Sequence, residues 1–162
     1  MDAEALSRAP VAVLGLNTTT TGTKPWITEV AVMHLKDGVI TAGPLVYRVA
    51  PNAPWPRVAD QVRLALRDRV LVTHDAGRLE VLRSNLRDWK PPAGVAHTGD
   101  LVEQVWPGLP DYSLGPASAR AGINGVARVS PSAVVEAHAV AFLLTVLIRR
   151  AVRTKAMNGR ST

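Results

Sequence analysis

Residues 11–16, Val-Ala-Val-Leu-Gly-Leu, form a nearly continuous apolar run between Pro10 and a Thr/Gly cluster, the pattern of a central strand buried on both faces. A second run over residues 26–35 is rich in β-branched and apolar residues. Lys36-Asp37-Gly38 then supplies the short turn of a hairpin that returns over residues 39–49. Pro51, Pro54 and Pro56 break the sheet, after which Val58, Val62, Leu64, Ala65 and Leu66 predict a short amphipathic helix ending near Asp68. Val70-Leu71-Val72 reads as another buried strand. Residues 76–86 carry Leu79, Leu82 and Leu86 at helical spacing, and a brief strand is expected around Val95-Ala96, beyond the Pro91-Pro92 loop.

Helices are predicted from there to the end. Asp100 is placed to cap residues 101–106, and Ser113 to start 114–121 with Gly122 as the stop. The last helix is the longest, with Ser130 as its cap and Pro131 in its first turn. Its apolar face is Ala133, Val134, Ala137, Val140, Ala141, Leu144, Leu147 and Ile148. A strand, a hairpin of strands, and then alternating helices and strands predict an α/β fold whose sheet has mixed strand direction.

A chain of 162 residues suits one domain, placed at residues 1–155, with 156–162 as a basic, flexible tail. Hydrophobic residues at 47% against 20% charged exclude a disordered polyelectrolyte. No apolar run approaches the roughly 18 residues of a membrane span, and Met1-Asp2-Ala3-Glu4 lacks the basic start of a secretory signal, so a cytoplasmic protein without membrane partners is expected. The absence of cysteine excludes disulfides and thiolate metal sites. The net charge of +6 comes mostly from 15 Arg against 4 Lys, which suits either a phosphate-backbone partner or a solvated surface. Arg149, Arg150, Arg153, Lys155 and Arg160 form a stretch without acids, readable as a helix end favoured by the macrodipole or as a contact segment.

Candidate chemistry centres on Asn17-Thr18-Thr19-Thr20-Thr21-Gly22, where strand one ends. Alone, this is ordinary turn and cap chemistry, with hydroxyls serving free backbone groups. His74, just after a buried strand, suits a hydrogen-bonded structural role as well as a catalytic one. Trp26, Trp55, Trp89 and Trp106 are available to stack on bases or to anchor loops.

Four stretches in the same order resemble the DnaQ-like 3′-5′ exonucleases of the DEDD class, which have a ribonuclease H-like fold. The family's Asp-x-Glu-Thr-Thr-Gly is matched by residues 17–22, and its Ile-x-Glu-Ile-Gly-Ala-Val resembles Ile27-Thr28-Glu29-Val30-Ala31-Val32. Leu71-Val72-Thr73-His74-Asp75-Ala76 is similar to Leu-Val-Ala-His-Asn-Ala, but Arg78-Leu79 stands where Phe-Asp is expected. The final His-x-Ala-x-x-Asp-Ala is matched by residues 131–137, with Pro131 for the His and Glu136 for the Asp. The resemblance implies a mixed five-stranded sheet flanked by helices, strands one to three a meander and strands four and five parallel to strand one. It further implies that strand four lies across strand one from the hairpin, an order that a chance match to another α/β domain would not share.

Family chemistry uses two divalent ions held by four carboxylates, with a general base. The corresponding positions here are Asn17, Thr19, Leu79, Pro131 and Glu136, so the resemblance implies a degenerate site with no bound metal. Glu136 is the remaining candidate ligand, and magnesium or manganese would enter only with residual activity, helped by Asp75 and Glu80. A substrate groove, if kept, would involve Thr18, Thr20, Thr21, Gly22, His74 and Asp75. The function implied is a pseudoexonuclease that binds or scaffolds protein or nucleic acid. The alternatives are a metal-independent binder of single-stranded ends and a residual 3′-5′ exonuclease.

Overall fold

The computed structural model describes residues 1–20, 22–91, 93–124 and 132–158. A short helix α1 (Ala3–Arg8) precedes β1 (Val11–Thr19), β2 (Trp26–Lys36) and β3 (Val39–Arg48). Next come α2 (Trp55–Ala65), β4 (Val70–Thr73), α3 (Ala76–Asn85), β5 (Val95–His97), α4 (Thr98–Val105), α5 (Leu114–Arg120) and α6 (Ala133–Asn158). The sheet order is β3-β2-β1-β4-β5. The first three strands form an antiparallel meander, while β4 and β5 run parallel to β1. This is the ribonuclease H-like sheet expected from the motifs, with the hairpin on one side of β1 and β4 on the other.

β1 is central because both its faces are apolar. Val11 and Val13 join α6 in one buried cluster, and Ala12, Leu14 and Leu16 join α2 and α3 in the other. Each fully buried Val or Leu contributes about 1.5–3 kcal/mol, so these two layers hold the sheet in place. Apolar patterning ends at Leu16, yet the strand continues to Thr19, since Asn17, Thr18 and Thr19 still pair with Glu29, Ile27 and Trp26. β-branched threonines suit such an extension, and a register shift between Asn17 and Thr18 marks where the pairing changes. The hairpin turn is Asp37-Gly38, both with positive φ, as a two-residue turn requires.

Several boundaries differ from expectation. Pro54 and Pro56 open α2, as N-cap and first-turn residue, so the helix starts at Trp55 and ends at Ala65, before Asp68. α1 was not predicted, although Asp2 caps it through the Ala5 amide. α4 begins at Thr98 with His97 as N-cap, which puts Asp100 inside the first turn and not at the cap. Ser113 does precede α5, but its side chain makes no cap bond and its Oγ donates to Asp111. α6 runs to Asn158, three residues past the expected domain boundary at 155. The predicted cap Ser130 and first-turn Pro131 lie outside the described residues, as does Thr21.

α6 crosses β1 at Gly15. A Cβ there would lie 2.0 Å from the Ala133 carbonyl oxygen and 2.6 Å from the Ala137 amide nitrogen, so only glycine admits the helix at this distance. The contact sets the start of α6 directly over the end of β1 and fixes the height of Glu136. Among the described residues no helix is long and apolar enough to cross a membrane.

Candidate functional site

The carboxyl ends of β1, β4 and β5 open into a cleft of about 720 Å³, the usual ligand position on sheets of this kind. First-turn residues of four helices wall it: Ala76 of α3, Gly99 of α4, Leu114 of α5 and Glu136 of α6. Helix N-termini leave amides unpaired and carry the positive end of the macrodipole. Acids near them are therefore favoured. Asp75 caps α3 by accepting the Arg78 amide at 3.1 Å, and Asp100 and Glu136 sit in the first turns of α4 and α6.

Glu136 is the centre of the site. One carboxylate oxygen accepts the Leu16 backbone amide at 2.9 Å, and the other accepts Arg78 Nε at 2.7 Å. The Glu136 side chain is only 11% exposed and Arg78 36%. Burial raises the Glu136 pKa above its ordinary value, while the Leu16 amide and the Arg78 guanidinium pull against that rise. Three elements are thereby joined at one carboxylate: β1 through its backbone, α3 through Arg78, and α6 through Glu136 itself.

Helix phase explains why Arg78 faces the cleft. Leu79 and Leu82 are buried with Leu86 in the cluster under β1 and β2, and one residue back along a helix is a rotation of about 100°. Leu79 therefore points into the core, and its predecessor reaches Glu136. Glu80 is exposed and pairs with Arg83 at 3.2 Å, outside the cleft lining.

His74 is a structural anchor at the cleft floor. It is 6% exposed, its Nδ1 lies 2.9 Å from the Thr98 hydroxyl, and its Nε2 lies 3.1 Å from the Tyr112 carbonyl. An Nε2–H that donates to Tyr112 leaves Nδ1 to accept from Thr98, which satisfies a neutral imidazole completely. Burial lowers its pKa, in keeping with that neutral form. The His74 carbonyl also accepts the Gly99 amide at 2.9 Å, so one residue ties the end of β4 to the start of α4 and to the segment before α5. Nearby, Thr73 Oγ1 donates to the Asp75 carbonyl and lies 2.8 Å from His97 Nδ1.

Of the residues singled out in the sequence, His74, Asp75 and Glu136 line this cleft. Asn17, Thr18, Thr19, Thr20 and Gly22 do not, and Leu16 is the β1 residue that does. Pro131 and Thr21 lie outside the described residues. The cleft also takes in Arg78, His97, Glu103 and Tyr112, which motif reading left without a role. Arg78 carried a signal, a cation where the family pattern has an aromatic residue; His97, Glu103 and Tyr112 carried none, because they are brought in by the β5–α4 and α5 connections. Of the tryptophans, Trp106 is buried and Trp55 donates to the Asn85 carbonyl at 2.8 Å, as anchors do. Trp26 is 46% exposed beneath Lys24.

The donor set does not fit a divalent pair as it stands. Both oxygens of Glu136 are engaged, Leu79 contributes no oxygen, and among the described residues no three Asp, Glu or His side chains converge as a metal group.

No family model and no curated protein matches the chain. Among solved structures it is similar to exonuclease X in complex with 5′-overhanging duplex DNA, with a TM-score of 0.61 and 19% identity over 88% of this chain and 93% of that one. It is also similar to the RNase domain of the yeast Pop2 protein, with a TM-score of 0.57 and 9% identity over 93% of this chain and 80% of that one. At these identities the likeness establishes the fold, a ribonuclease H-like exonuclease architecture.

Proposed function

We propose that this chain is a catalytically degenerate exonuclease-like domain that acts as a binding or scaffolding module for nucleic acid or protein. The Arg78–Glu136 pair carries the reading. A guanidinium occupies the one acid retained at a family ligand position, and the residue aligned with another ligand, Leu79, is packed into the core. Two-ion phosphoryl chemistry needs several converging anionic oxygens, and the neutral Asn17 and Thr19 side chains do not replace them. The DNA bound in the exonuclease X structure favours nucleic acid as one partner class.

The test is a single-turnover assay on 3′-labelled single-stranded DNA and RNA with magnesium or manganese. The expected result is no end-trimming above a buffer control. Trimming that disappears in Glu136→Ala would replace this reading with that of a residual nuclease. Binding of single-stranded ends inside the cleft has less support. Asp75, Asp100, Glu103 and Glu136 line it against Arg78 alone, a formal excess of three negative charges. The N-termini of the four helices that wall it, about half a charge each, offset only part of that excess.

A further inference from the structure

Positive charge gathers at the opposite end of α6. The helix has 26 residues, and at 1.5 Å per residue the stretch from Arg149 to Lys155 stands about 20–29 Å along it from Glu136. After Glu136 it carries no acid, and Arg149, Arg150, Arg153 and Lys155 are all exposed. Arg150 and Lys155 border a groove of about 840 Å³ between α1, α4 and the end of α6, to which α1 adds Arg8, while Arg149 and Arg153 lie on the same helix end outside its lining. Two acids lie there, and both are committed: Asp2 caps α1, and Glu4 is bracketed by Arg8 and Lys155. The Arg150 guanidinium lies 5.7 Å over the Trp106 ring, which braces it at the groove wall.

Among the described residues Arg149, Arg150 and Arg153 have no acid within 4 Å, as is also true of the scattered Arg57, Arg69, Arg87 and Arg120, but only at the end of α6 do three such arginines fall within five residues of sequence. The macrodipole favours cations only in a helix's last turn. It accounts for Lys155 but not for Arg149 and Arg150, two turns earlier. Guanidinium groups offer a planar fork that matches phosphate oxygens, and four of the five cations here are arginines.

We propose that nucleic acid is held by its phosphate backbone on the basic end of α6, beside its groove with α1, and not in the cleft at the start of α6. The inference rests on the binding-module reading and locates its surface. The cleft lining is acidic toward phosphate, while the far end of the same helix gathers unpaired arginines beside a groove.

The test is fluorescence anisotropy with labelled single-stranded DNA, single-stranded RNA and duplex DNA across a salt series, using the full chain. Arg149→Glu/Arg153→Glu should weaken binding by roughly tenfold or more and flatten the salt dependence by about one unit of slope per cation removed. Arg149→Gln/Arg153→Gln is a milder pair at exposed positions, and circular dichroism checks that both variants keep the fold. Full affinity in these variants, with loss in Arg78→Ala, would place the contact in the cleft and overturn the proposal. Displacement by polyglutamate as effective as by unlabelled oligonucleotide would make the surface a site for acidic protein, and would equally overturn it. No binding by the unaltered chain at low salt would do the same. None of these outcomes bears on end-trimming, so a failure here is distinct from a failure of the pseudoexonuclease reading.

Discussion

The Ala133 carbonyl oxygen occupies the space of a side chain at Gly15, 2.0 Å from where the Cβ would be. Backbone meets backbone, and neither partner has a rotamer with which to yield. Gly15→Ala must therefore move α6 away from β1, at an expected cost of about 3 kcal/mol or more. Urea denaturation measures it, and a loss below about 1 kcal/mol would mean that the helix does not sit this close.

The Arg78–Glu136 pair should behave as a partly buried ion pair. Arg78→Ala leaves the carboxylate with only the Leu16 amide, at a cost of about 1–2 kcal/mol once solvent screening of the half-exposed guanidinium is included. Combined with Glu136→Gln in a double-mutant cycle, a coupling near 1 kcal/mol is expected. Additive effects would reduce the pair to a surface contact.

Asn85 joins the end of α3 to the start of β2. Its amide nitrogen donates to the Pro25 carbonyl at 3.1 Å and to Val81 at 2.9 Å, and its oxygen accepts the Ile27 amide at 3.4 Å. Asn85→Ala strands these buried groups, and a loss of about 2 kcal/mol is expected in thermal or urea unfolding. Asn85→Asp should also destabilise, since its side chain no longer donates to the two carbonyls.

Acidification should destabilise the fold through His74 and His34, both held below the ordinary 6.5 by burial. With folded values depressed, the unfolded chain binds protons more readily. The stability concerned is present above 6.5 and is lost as pH falls through the folded values. Glu136 acts with the opposite sign: its raised folded value gives stability that is full below 4.5 and is lost as pH rises through that folded value. Comparison of melting temperature against pH in the unaltered chain, His74→Gln and Glu136→Gln separates the contributions. An acid slope unchanged by His74→Gln would remove His74 as its source.

The sheet was legible because its signals are local and redundant. The apolar run at β1, the Asp37-Gly38 turn and the Val70-Leu71-Val72 strand each specify an element, and the motif order specifies how they pair. The cleft was less legible. His74 and Glu136 were visible through their motifs, but Asn17, Thr18, Thr19, Thr20 and Gly22 served as a fold marker and are not part of the cleft lining. Arg78 faces the cleft only because Leu79, Leu82 and Leu86 set the phase of α3, and Tyr112 reaches it through a connection that no periodicity encodes. α1 was missed because two turns give too little apolar repeat to register, although the Asp2 cap was present.

On the proposed reading, Leu79 would make a loss of catalysis hard to reverse. Restoring a ligand at that position means placing a carboxylate among Leu82, Leu86 and the underside of the sheet, where ionisation is opposed and folding is weakened. Recovery would instead require α3 to rotate, which would also free Glu136 from Arg78 and expose leucines that now hold the helix down. Each step of such a path is unfavourable until the others have occurred, so on that reading the core would act as a ratchet against a carboxylate site.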